Sequence, residues 1–79
     1  MYLDISGFFK DPHPDETLKY EKAIQKHQEE AILAILGWSS LDEGSNGLYE
    51  LTQDETDRVS ELLGDSHIKQ LSLFICTRD

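Results

Sequence analysis

The sequence predicts a small α+β domain, an antiparallel sheet of two or three strands packed against two helices. Three observations lead there. The two ends of the chain, Tyr2–Phe9 and Lys69–Thr77, alternate side chains between two faces as strands do. Between them, Leu51–Gly64 carries an amphipathic helix marked at both ends. With 79 residues, the chain has room for one modest core and little room for a deep substrate pocket beside it.

In the first strand, Leu3, Ile5, Gly7 and Phe9 share one face, and Tyr2, Asp4, Ser6 and Phe8 the other. Gly7 inside it suggests a bulge or the close approach of another backbone. KDPHPDET, with two prolines and three acids, is a turn or short loop. Residues 18–25 fit two readings. Leu18, Tyr20 and Ile24 alternate as a second strand of about seven residues would, making a hairpin across KDPHPDET. Tyr20, Ile24, His27, Ala31 and Ile35 also recur at helical spacing, with Asp15 or Thr17 as cap. Composition favours the helix. Topology favours the hairpin, since the first strand would otherwise have only the last to pair with, and the hairpin is the expectation.

His27–Leu36 is a helix under either reading. Its apolar second half predicts burial, Gly37 ends it, and Trp38 lies at its exit. Ser39–Gly47 is a polar loop, and Leu48–Glu50 a short extended lead-in to the second helix. That helix opens on a capping box: Thr52 is the N-cap, and Glu55 at N3 reaches back to the N-cap amide. Asp54 and Glu55 also favour the positive end of the helix dipole. Val59, Leu62 and Leu63 are the expected buried stripe. Asp54, Asp57 and Glu61 fall within roughly 60° of one another on the opposite side, and Gly64 is the left-handed stop. In the last strand Leu71, Leu73 and Ile75 share one face, and Gln70, Ser72, Phe74 and Cys76 the other. With apolar residues on both faces, it should be central.

The net charge of −9 is unevenly spread: −3 over residues 1–40, −7 over residues 41–66, where Arg58 is the only basic residue, and +1 over residues 67–79. Direct nucleic-acid binding is disfavoured, because phosphate contacts need clustered Lys and Arg, and an anionic membrane surface is disfavoured for the same reason. A basic protein partner is favoured. Cys76 is the only cysteine, so no intrachain disulfide forms. No leader pattern or long apolar run is visible, and a protein of the reducing cytoplasm is expected.

No catalytic motif appears. The histidines His13, His27 and His67 have no metal-ligand spacing. LDEGSNGLYE lacks the acid order of a calcium loop. Cys76, inside an apolar strand, reads as a small buried hydrophobe rather than a nucleophile. No cofactor is implied. Asp54, Asp57 and Glu61 can be read as a solvated helix face, and Trp38 and Tyr49 as core. The sharper reading joins them into a partner surface of Trp38, Asp42, Glu43, Tyr49, Glu50, Asp54, Asp57 and Glu61, because the acids lack neutralising neighbours in sequence and aromatics among charges are typical of interface hot spots.

Taken together, a first strand with a Gly7-Phe8 pair, a central helix, a YxLT step (Tyr49, Leu51, Thr52) into a capped helix ending Leu62-Leu63-Gly64, and a last strand bearing an aromatic resemble small bacterial proteins, some encoded beside secreted toxins. In size and charge the chain is similar to the immunity proteins of contact-dependent growth inhibition and colicin-like toxin systems. The resemblance spans nearly the whole chain. It implies a cytoplasmic protein that binds a cognate toxin domain, often a basic nuclease, and blocks its active site or substrate groove. No residue role carries over by motif. Two alternatives stand beside it: a phage-encoded nucleic-acid mimic that inhibits a host defence complex, and a small structural or regulatory domain that self-associates through a sheet edge.

Overall fold

The structure is a computed structural model; it describes residues 1–10 and 12–79, with residue 46 described by its backbone alone. Eight-residue strands from the two ends of the chain form the middle of the sheet. Strand β1 (Tyr2–Phe9) runs antiparallel to the last strand, β4 (Leu71–Arg78), in unbroken register from Tyr2 opposite Arg78 to Phe9 opposite Leu71. On the outer side of β1 lies β2 (Tyr20–Ala23), so residues 18–25 form the returning arm of a hairpin. On the outer side of β4 lies β3 (Tyr49–Glu50). The sheet is therefore four-stranded and fully antiparallel, in the order β2-β1-β4-β3. The expected count of two or three strands falls short by the two-residue β3, which is too brief to show alternation. β2 is four residues long rather than seven, and β4 runs 71–78 rather than 69–77.

Two helices cover one face. Helix α1 (Lys26–Leu36) supplies Ile32, and α2 (Gln53–Leu63) supplies Val59, to a core that also holds Leu3 and Ile5 of β1 and Leu71, Leu73 and Ile75 of β4. Ile24, Leu51 and Ile68 close its margins. In α1 only Ile32 is buried; Leu33, Ile35 and Leu36 are half-buried and Ala34 is exposed. The apolar second half of this helix thus lies across the rim of the core instead of inside it. In α2 the buried positions are Thr56, Val59 and Ser60, while Leu62 and Leu63 are half-buried. Ser60 is tolerated there because its hydroxyl donates to the Asp57 carbonyl at 2.8 Å.

Both helices end as their glycines predict. Gly37 and Gly64 sit at φ 72° and 70°, a left-handed backbone that strains residues with a side chain. The following amides, of Trp38 and Asp65, donate to the Leu33 and Ser60 carbonyls at 2.9 and 3.0 Å. The polar stretch after Trp38 is a 3-10 helix, Leu41–Asn46, and a second one, Ser66–Gln70, precedes β4 and buries Ile68. Gly7 makes no bulge. It is a close approach of side chains: a methyl there would lie 3.0 Å from Leu71 Cδ1 and 3.1 Å from Tyr20 Cβ.

Among the described residues, no helix covers the other face of the sheet. Tyr2, Phe8 and Phe74 are half-buried on it, screening the small buried residues Asp4, Ser6 and Cys76.

Candidate protein-binding surface

The capping box of α2 is formed as read. The Thr52 hydroxyl accepts from the Glu55 amide at 3.1 Å, and the Glu55 carboxylate accepts from the Thr52 amide at 2.9 Å. Glu55 has a further duty: the Tyr49 hydroxyl donates to it at 3.0 Å. That bond and partial burial raise the Tyr49 pKa above the usual phenol value. Tyr49 lies opposite Ile75, on the helix side of the sheet. Its ring meets Trp38 edge-to-face, with centroids 5.6 Å apart. The two aromatics thus tie the start of α2 to the exit of α1, with Trp38 half-buried and Tyr49 at the exposed margin. They are partly structural, and only their outer edges are open to a partner.

The acids of the predicted surface are separated by their neighbours. Asp54 pairs with Arg58 one turn on, at 3.1 Å, both side chains well exposed. Asp57 accepts from Gln53 Nε2 at 3.0 Å. Glu61 has the Lys69 ammonium at 3.8 Å. Glu43 caps the Ser39 amide and hydroxyl. Only Asp42 and Glu50 have neither an ion pair nor a side-chain hydrogen bond among the described residues. Arg58, Gln53 and Ser39 each lie four residues from the acid they meet, whereas Lys69 reaches Glu61 only after the chain has turned back along α2. The 3-10 helix bearing Asp42 and Glu43 packs on the far end of β4, where Thr77 Oγ1 donates to the Leu41 carbonyl. Glu50, paired opposite Phe74, points to the helix-free side of the sheet.

On that side lies a groove of about 290 Å³. Phe8, Phe74 and Ser72 form its floor; Asp15 and Glu16 from the hairpin loop and Glu50 from β3 stand around it, with Phe9 at one end. Phe8 and Phe74 meet edge-to-face at 5.8 Å. An adjoining groove of about 330 Å³ runs toward the start of α2 past Lys10 and Gln53, and Glu50 lines both. Alternation places Phe8 and Phe74 on the mixed faces of their strands, but no sequence signal fixes the register that puts Phe8 opposite Ser72 and beside Phe74. The hairpin loop brings its acids to the same spot from outside the predicted surface.

The Asp15 carboxylate is held well below the usual carboxyl range by the Lys19 ammonium and by the hydroxyl and amide of Thr17. Among the described residues, no group of three or more His, Cys, Asp or Glu side chains is placed to hold a metal ion, and no helix is long and apolar enough to cross a membrane.

Fold and surface together define a two-layer α+β protein with an acidic helix on one side and an aromatic, acid-rimmed sheet face on the other. Set against protein-family models, curated proteins and solved structures, the chain matches none of them.

Proposed function

We propose that this chain is an acidic protein-binding inhibitor: a cytoplasmic protein of the immunity type that binds and neutralises a cognate basic toxin domain, in the leading form a nuclease. One observation carries the reading. Residues 41–66 hold eight acids against Arg58 alone, seven of them on an exposed 3-10 helix, an edge strand and a capped helix, with Asp65 just past that helix.

The ion pairs within this surface do not oppose the reading. Exposed pairs such as Asp54–Arg58 and Glu61–Lys69 are worth about 0–1 kcal/mol each. Lys and Arg of a nuclease, which otherwise hold substrate phosphates, can replace them at little cost. Such complementarity acts first on encounter: a concentrated negative field raises the association rate and selects a basic partner. Asp42, Glu43, Glu50, Asp54, Asp57 and Glu61 supply that field, and the open edges of Trp38 and Tyr49 supply contact area.

The test begins with affinity capture of the tagged chain from its native cell, with mass spectrometry of what is retained. Association with the captured partner should slow steeply as salt is added. Charge reversal by Asp57→Lys and Glu61→Lys should slow it further at low salt; an unchanged association rate would remove this surface from the interface.

A second reading, self-association, draws on the helix-free sheet face with Tyr2, Phe8 and Phe74 half-exposed on it. Light scattering on the free protein separates the two, since a stable dimer supports self-association.

A further inference from the structure

We propose that the groove on the helix-free face of the sheet receives the side chain of an arginine presented by a protein partner. The proposal deepens the partner-binding reading and rests on it, but it places a contact outside the acidic helix.

Shape and chemistry point to the same occupant. The floor is aromatic, Phe8 against Phe74, and the rim is acidic on two sides, Glu16 on the loop and Glu50 on β3. All basic residues of the chain are among those described, and neither Glu16 nor Glu50 lies within ion-pair distance of any of them. Lys10, in the adjoining groove, donates to Gln53 instead. An anion is repelled, and an uncharged apolar group would bury the rim carboxylates without a partner. An arginine satisfies both parts. Its planar guanidinium is weakly hydrated, stacks on aromatic faces and offers paired donors to a carboxylate, while its apolar stem covers the rest of the floor.

The protein already uses this chemistry once, at the end of the same groove. The Lys19 ammonium lies 5.2 Å from the centroid of the Phe9 ring and is ion-paired to Asp15. Phe8, Phe74 and Glu50 repeat that combination of ring and carboxylate with no cation of the chain's own.

The test is an NMR titration of the isotope-labelled full chain with three capped tripeptides, Gly-Arg-Gly and its citrulline and lysine counterparts. The arginine peptide should shift the Glu50, Ser72 and Phe74 amides and the Phe8 and Phe74 ring signals saturably. The citrulline peptide, equal in shape but uncharged, should not, and the lysine peptide should bind roughly two- to fivefold more weakly. Glu50→Gln, at an exposed position that leaves the fold intact, should weaken the arginine peptide by roughly two- to fivefold; Asp57→Asn and Glu61→Gln should leave it unchanged.

Equal shifts from citrulline, shifts confined to α2, no saturable shift, or indifference to Glu50→Gln would each overturn the proposal. So would a stable dimer whose interface covers Phe8 and Phe74, and lysine binding equal to arginine would overturn the choice of residue. The two readings fail separately: salt-insensitive capture with an intact arginine titration removes the helix surface and keeps the groove, and the converse removes the groove.

Discussion

Asp4 is a carboxylate with 3% of its surface exposed, in the middle strand pair of the sheet. It is tolerated because Arg78, at the far end of the chain, donates to it from Nε at 2.8 Å, and the same bond raises the arginine pKa. Removing the guanidinium strands a nearly buried charge; removing the charge merely frees a half-exposed arginine. Arg78→Met should therefore lower the urea midpoint, Asp4→Asn should lower it less, and the double variant should recover part of the loss. A double variant as unstable as the sum of the singles would show the pair to be uncoupled. Asp15 makes a pH-dependent case. Its carboxylate stays ionised in the fold well below the ordinary value of 3.8, so its contribution is present above that pH and is lost as the pH falls through the folded value. Asp15→Asn should cost stability at neutral pH, and the gap to the parent chain should narrow in acid. A constant gap across the acid range, followed by thermal unfolding, would contradict that role.

Among the elements, α2 was the most legible in advance because its signals are local. Thr52, Glu55 and Gly64 specify cap and stop within a few residues of one another, and the geometry follows. Thr52→Ala should cost about 1 kcal/mol. Residues 18–25 were ambiguous for an equally physical reason. Tyr20 and Ile24 suit a strand and a helix alike, and the choice is made by the edge of β1, which offers backbone partners from Asp4 to Gly7. β3 (Tyr49–Glu50) showed in sequence only as the extended lead-in Leu48–Glu50, because two residues have no period from which to read a place in a sheet. The proposed partner surface was legible only as charge. Which acids are free depends on contacts such as Lys69 with Glu61, and the groove depends on strand register. The 3-10 helix Leu41–Asn46 shows the same dependence. Its Gly44 read as loop composition, yet it is buried, and a methyl there would stand 2.8 Å from Trp38 Cζ3 and 3.1 Å from the Thr77 amide. Gly44→Ala should displace one or both and cost about 1–3 kcal/mol. Denaturant melts together with Trp38 fluorescence would check this, and a silent substitution would show the segment to be looser than its packing indicates.

For the whole molecule, the acidity that suits a basic partner works against the isolated fold. Nine units of uncompensated negative charge repel one another more strongly in the folded chain than in the expanded one. Salt screens that repulsion over about 10 Å at 0.1 M, so added salt should stabilise the free protein while it slows capture of a basic partner. The two responses have opposite signs and a common cause. A variant with Glu50→Gln, Asp57→Asn and Glu61→Gln would carry −6 in place of −9. Among the described residues it breaks only the long contact of Glu61 with Lys69 at 3.8 Å, and asparagine at 57 can still accept from Gln53. At low salt this variant should unfold at the same temperature as the parent or a few degrees higher, with a shallower dependence of Tm on salt. Its association with a basic partner should be slower and less salt-sensitive. Stability retained for the fold at the expense of association is the trade-off expected where surface charge is kept for binding. A variant that melts lower than the parent at every salt concentration would instead assign these acids to the fold itself, and parallel melting and association series on the two proteins would decide between the roles.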